Sequence, residues 1–209
     1  MRELTARPGQ GPLNASAADA PFIRSLLKVL RAHDAYTFRH SVRTVRLSLL
    51  LGRACGVAPE QQRTLRHGAL VHDVGKVFIP AGVLHKPGRL SAAEWEAVRR
   101  HPRAGARLLL DLPADPCVAR VVAEHHEWWD GRGYPEGLRG DEIDFNARIV
   151  SVADAFDAMT SARPYRPATG YEAAAAELER CSGTQFDPLV VGMFRRVPRE
   201  HLEVITGRV

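Results

Sequence analysis

Seven residues that can bind a metal fall within helical stretches of the sequence or where such a stretch meets a loop: His40, His72, Asp73, His101, His125, His126 and Asp154. A single histidine is more often a hydrogen-bonded core or surface group than a ligand. Seven such residues beside apolar helical neighbours favour a metal centre. Consecutive side chains on a helix point about 100° apart, so His72 with Asp73, and likewise His125 with His126, can serve two adjacent ions or one ion from two sides. With His40 and Asp154 arriving from other helices there are ligands enough for two octahedral ions, and the short carboxylate of Asp73 suits a bridge between them. Open positions would remain for water and substrate. Nitrogen and oxygen donors without thiolate favour iron or manganese over structural zinc, while zinc, cobalt and nickel stay compatible. No serine or cysteine lies in a nucleophile motif, and a catalytic triad is not required.

The elements that must position these residues read as helix after helix. Asp19 can cap a helix with Pro21 in its first turn and Phe22, Leu26, Val29 and Leu30 on one face. Thr37 can open a second, with Val42, Val45 and Leu49 inward and Gly56 near its end. Pro59 starts a third that runs into "ALVHDVGK". Ser91 and Glu94 form a capping box ahead of Trp95 and Val98. Further helices are predicted over 102–110, 114–128, 146–160, 170–180 and 187–196. Sustained alternation of period two, a GxGxxG and a phosphate-binding loop are all lacking, so the fold is expected to be all-α. Two long irregular connections, 74–90 and 129–145, lie beside histidines, and loops of that length usually carry function.

The composition bounds the rest. Hydrophobic residues at 45% against 25% charged, over 209 residues, fit one domain with a buried core. Residues 1–18, rich in Gly, Pro and Ala without periodicity, read as a flexible leader, and 19–209 as the domain. The longest apolar runs fall far below the roughly 18 residues that span a bilayer, and a signal pattern is lacking, so a cytoplasmic protein without a membrane is expected. Three scattered cysteines imply neither a disulfide framework nor a CxxC metal site. The net charge of +5 is almost all arginine, with lysine only at 28, 76 and 86. Guanidinium groups suit a phosphate-bearing ligand. No basic block with interleaved aromatics points to a nucleic-acid polymer.

Five motifs, "HDVGK" at 72–76, "HP" at 101–102, "HHEWWDGRGYP" at 125–135, "VADAFDAMTSARPYR" at 152–166 and "GTQFDP" at 183–188, together resemble the HD-GYP family in order and spacing. These are bacterial phosphodiesterases of cyclic di-GMP within the HD-domain hydrolases, and the resemblance covers residues 33–196. It implies a single HD-type helical bundle with a dinuclear centre. His40, His72, Asp73 and Asp154 match the primary ligands, and His101, His125 and His126 the additional ones, with Asp73 bridging. Lys76 matches a lysine near the scissile phosphate, which could add charge or protonate the departing ribose oxygen. Arg163 and Arg166 match positions that hold the substrate's phosphates, while Gly133, Tyr134 and Pro135 line the substrate loop. Two divalent ions, iron or manganese, would meet the needs of phosphodiester hydrolysis: a strong nucleophile at neutral pH and positive charge around the transition state.

Plainer readings stand beside these. "DGRGYP" can be a turn in which Gly131 and Gly133 supply positive φ and Pro135 fixes the chain, as well as a ligand-facing loop. Trp128 and Trp129 are expected to pack in the core or at the rim rather than stack on a base. Arg163 and Arg166, taken alone, read as a solvated helix end. Some family members carry a glutamate, four residues before the first histidine, that helps hold a third metal. Here Tyr36 stands there, and two metals are expected. Hydrolysis of cyclic di-GMP to pGpG, and onward to GMP, is the leading expectation. The alternatives are a catalytically silent module that binds the nucleotide or a partner such as a diguanylate cyclase, and a phosphodiesterase of another cyclic dinucleotide such as cyclic GMP-AMP.

Overall fold

The computed structural model describes residues 21–112, 115–162 and 168–207. The predicted leader, the Asp19 cap, Arg163 and Arg166 therefore lie outside the described residues. Among those described there is no strand, only an isolated bridge between Ser182 and Phe186, so the all-α expectation holds. The helices are α1 (Pro21–His33), α2 (Ala35–Ala54), α3 (Pro59–Val71), α4 (Ala81–Leu84), α5 (Ala92–Arg99), α6 (His101–Leu110), α7 (Pro116–Glu124), α8 (Phe145–Thr160), α9 (Tyr171–Arg180), α10 (Pro188–Phe194) and α11 (Arg199–Thr206). No helix is long and apolar enough to cross a membrane.

Local chemistry starts these elements. Asp34, Asp115, Asp144 and Asp187 each accept a backbone N–H from two residues on, capping α2, α7, α8 and α10. In α7 and α10 the next residue is a proline, whose missing N–H has no partner to lose at that position. The Ser91–Glu94 capping box is present as predicted. α2 runs through the middle of the bundle, packed against α1, α3, α8, α10 and α11, while α6 and α7 pair beside α3. Leu47, Leu51, Leu65, Val121, Ile149 and Phe156 are fully buried between them. At roughly 1.5–3 kcal/mol each for removal from water, such side chains dominate the stability of the bundle.

Several boundaries differ from the sequence reading. Val29 faces solvent at 54% exposure and Ile23 takes its place in the core, because α1 meets α2 and α3 along the stripe through Ile23 and Leu30. The helix predicted over 114–128 stops at Glu124, where the chain turns back and Trp129 and Asp130 donate their N–H groups to the carbonyls of Gln185 and Thr184. The segment 74–90 is less irregular than expected, since a 3-10 turn (Val74–Phe78) and α4 occupy part of it. The terminal helix α11 was not foreseen; it buries Leu202.

Candidate metal centre

Five helices deliver the seven candidate ligands, mostly from their ends. His40 comes from the second turn of α2 and Asp154 from the middle of α8, and His101 is the first residue of α6. His72 and His125 are not inside helices but cap the C-terminal ends of α3 and α7, with Asp73 and His126 one residue further on. A helix end lets two consecutive side chains converge where a helix interior would splay them.

The seven fall into two groups. Ligand atoms of His40, His72 and Asp73 lie within 4.8 Å of one another, as do those of His101, His125 and His126. Asp73 spans both: its Oδ2 is 3.4 Å from His72 Nε2 and 4.0 Å from His40 Nε2, and its Oδ1 is 3.2 Å from His101 Nε2. Asp154 Oδ1 joins the first group, 2.9 Å from His40 Nε2 and 4.0 Å from His72 Nε2.

The donor chemistry fits cations. His72, His101 and His125 each donate from Nδ1 to a backbone carbonyl three residues earlier, Ala69, Val98 and Val122, at 2.7–2.8 Å. A carbonyl can only accept, so Nδ1 carries a proton, and in the neutral ring Nε2 is the lone pair facing inward. His101 Nε2 and His125 Nε2 then face each other at 3.4 Å as two acceptors, which cannot satisfy one another. His72 Nε2 is fully buried with no hydrogen-bond partner. Orphaned inward lone pairs beside two carboxylates are the arrangement a divalent ion completes.

Electrostatics agrees. Burial, with His101 close by, pushes His126 down to about 3, and burial holds His125 well below the usual imidazole range. Both are neutral imidazoles at pH 7. Burial alone would raise Asp73, but the Lys76 ammonium outweighs it and keeps the carboxylate ionised. The Lys76 ammonium sits 2.6 Å from Asp73 Oδ2. Burial opposes charge on His40, yet the carboxylates of Asp154 and Asp157 prevail and lift it to about 9.

Two groups essential to this geometry escaped the sequence reading. Asp157, fully buried, accepts His40 Nδ1 at 2.7 Å and is held in turn by Arg43 at 2.6 and 2.9 Å. The signal was available, since Asp157 lies one turn beyond Asp154 on the same helix. Glu127, also buried, accepts the N–H groups of Glu136, Gly137 and Leu138 and so ties down the loop that carries Gly133, Tyr134 and Pro135. Its place beside the two histidines was the only hint.

That loop closes over the second group. The Tyr134 ring packs on the His126 ring with centroids 4.9 Å apart, and Tyr134 N–H donates to the His126 carbonyl. Gly131 has positive φ, as expected, but Gly133 does not. Gly133 is required for space: a Cβ there would stand 2.2 Å from the Trp128 nitrogen. Gly75 is similar, its Cβ position lying 2.0 Å from the His101 carbonyl oxygen, so the turn after Asp73 touches α6 directly. Trp128 and Trp129 are half-buried beneath the guanidinium groups of Arg132 and Arg148, the packing role expected of them.

Comparison with known proteins agrees with this architecture. The family profile described as "HD domain" matches residues 24–190. The cyclic di-GMP phosphodiesterase response regulator RpfG of Xanthomonas campestris is 40% identical over 88% of the chain and 49% of its own length. The 3'3'-cGAMP-specific phosphodiesterase 3 of Vibrio cholerae is 39% identical over 77% of the chain and 35% of its own length. The chain thus spans half or less of these two relatives. Among solved structures, Bd1817, an HDG"Y"P protein from Bdellovibrio bacteriovorus, superposes with a TM-score of 0.63 at 23% identity, over 89% of this chain and 60% of that one.

Proposed function

Because the chain belongs to the HD domain family, we propose that it is a metal-dependent phosphodiesterase that hydrolyses cyclic di-GMP to pGpG, with GMP as a further product. The observation that carries this reading is Asp73, whose two carboxylate oxygens each face a separate cluster of imidazole nitrogens. Such a bridge calls for two ions, and the all-nitrogen-and-oxygen donor set suits iron or manganese. Bound there, divalent ions supply a nucleophile from water at neutral pH and positive charge for the phosphate.

The chain's own groups do the rest. His40, His72, Asp73 and Asp154 form one ligand set, and His101, His125 and His126 with the other oxygen of Asp73 form the second. Lys76 Nζ, beside Asp73 Oδ2 and partly open to solvent, can offset charge on the scissile phosphate or hand a proton to the departing ribose oxygen. Gly133, Tyr134 and Pro135 form the wall against the second ligand set, and Tyr134 keeps its phenol neutral because burial raises it further. Arg163 and Arg166 are expected to hold the substrate's phosphates. A cytoplasmic location goes with this reading, as do the free thiols of Cys55, Cys117 and Cys181. A diguanylate cyclase is the protein partner to test for.

A second reading, cleavage of 3'3'-cGAMP, is favoured by the name of the Vibrio relative. One experiment separates these readings. Anaerobically prepared, iron- or manganese-loaded protein is incubated with each cyclic dinucleotide and the products are resolved by chromatography. Turnover of cyclic di-GMP that disappears in Asp73→Ala supports the proposal. Exclusive turnover of 3'3'-cGAMP supports the second reading, and tight binding without turnover would identify a silent nucleotide-binding module.

A further inference from the structure

Two arginines from neighbouring helices grip the substrate loop, and they differ in what holds them. Arg103 of α6 forms an ion pair with Glu136, one residue past Pro135. Arg99, the last residue of α5, lays its guanidinium carbon 4.8 Å from the centre of the Tyr134 ring. Tyr134 in turn packs 4.9 Å from His126, so the two contacts in series bring the Arg99 guanidinium carbon within 9.7 Å of a candidate metal ligand. The Arg99 guanidinium forms no hydrogen bond or ion pair with a described residue. Its planar fork is therefore held against the wall of the centre by an aromatic face, with its N–H donors uncommitted to any described residue. A guanidinium stacked on a ring in this way has already lost much of its rotamer freedom, which lowers the further loss on binding a phosphate bidentately.

We propose that Arg99 is a substrate-binding residue that takes the second phosphate of the cyclic dinucleotide while the first lies at the metal centre. This assignment rests on the phosphodiesterase reading and adds a specificity element to it. A substrate with two phosphates engages both the centre and Arg99, whereas a simple diester engages the centre alone. The Tyr134 ring, in contact with both Arg99 and His126, sets the spacing, so Arg99 measures the size of the substrate as well as its charge.

The test compares the metal-loaded full chain with Arg99→Ala and Arg99→Lys on two substrates, cyclic di-GMP and bis(p-nitrophenyl) phosphate, which carries a single phosphodiester. Loss of a hydrogen bond to a charged group corresponds to about a 10- to 100-fold rise in KM for cyclic di-GMP in Arg99→Ala. In the same variant kcat should stay within about twofold, the pattern of an interaction equal in ground and transition states. Arg99→Lys should recover part of the loss, and cleavage of bis(p-nitrophenyl) phosphate should not change in either variant. An unchanged KM for cyclic di-GMP would overturn the assignment and leave the phosphodiesterase reading standing. Equal losses on both substrates would also overturn it, by showing that Arg99 only supports Tyr134 and His126. Were the wild-type chain to bind cyclic di-GMP without cutting it, the phosphodiesterase reading would fall and the Kd values would decide: a 10- to 100-fold weakening in Arg99→Ala upholds the assignment, and equal affinity sinks it. A wild-type chain that neither binds nor cuts cyclic di-GMP overturns both.

Discussion

Asp157 accepts the Nδ1 proton of His40 at 2.7 Å while Arg43 grips both of its carboxylate oxygens. The pair fixes the tautomer and the ring direction of His40, whose Nε2 faces Asp154. Asp157→Asn should therefore weaken divalent-ion affinity by about 10- to 100-fold, the usual consequence of losing a carboxylate behind a ligating histidine. Titration of the apo-protein with Mn2+ checks this, and unchanged affinity would mean that His40 needs no such support.

Gly75 lets the turn after Asp73 lie directly on the first residue of α6. The Cβ of Gly75→Ala would meet the His101 carbonyl oxygen at 2.0 Å and the Gly105 nitrogen at 2.7 Å, both backbone atoms that cannot rotate away. The two segments must separate, at a cost of about 1–3 kcal/mol or more. Because His101 and Asp73 ride on those segments, the variant should show a lowered Tm together with weakened metal binding. A Tm matching wild type would show that the contact is softer than it looks.

Glu127 holds three successive loop N–H groups from a buried position. Glu127→Gln keeps the shape, removes the charge, and leaves a donor facing donors. About 1–3 kcal/mol of loop stability should go with it. Hydrogen exchange at Glu136, Gly137 and Leu138 should rise roughly 10- to 100-fold while amides in α2 and α3 keep their protection. Equal protection of the loop in both proteins would count against this role.

Much of the centre was readable in the sequence because its chemistry is spelled by residue type: imidazoles and carboxylates are rare on core faces unless something pairs with them. What could not be read was direction. Nothing local says that α7 stops at Glu124, since His125 and His126 continue a helical pattern; the stop comes from pairing of Trp129 and Asp130 with Gln185 and Thr184, some 55 residues away. Gly133 looked like a turn glycine and proved to be a spacer against Trp128, a distinction that depends on a neighbouring strand of chain rather than on its own φ. Val29 and Ile23 sit on adjacent faces of α1, and periodicity alone cannot say which of them meets α2. Asp157 was hidden by Asp154: of two acids a turn apart on one helix only the first was assigned a role, and the second gains one only when Arg43 and His40 are seen to converge on it.

Metal removal should leave the fold in place and lower its stability. Lys76 and His40 already offset part of the negative charge of Asp73 and Asp154, so the apo-centre is not an uncompensated acidic pocket. Ions bound at 100 to 1,000 times Kd contribute about 3–4 kcal/mol. For a chain of 209 residues that corresponds to a Tm lowered by on the order of 10 °C on chelation, with the helical circular dichroism kept at 25 °C. Loss of helix at 25 °C would contradict a preformed centre.

The bridging role proposed for Asp73 is tested most directly by counting metal per chain in wild type and Asp73→Ala, prepared anaerobically with iron or manganese, alongside cyclic di-GMP turnover on the same samples. Two equivalents are expected in wild type, with no third because Tyr36 offers no carboxylate, and Asp73→Ala should lose turnover together with at least one of the two. A wild-type chain that takes up a single ion or three, or an Asp73→Ala variant that keeps both ions and still cleaves the dinucleotide, would contradict a centre built around that one carboxylate.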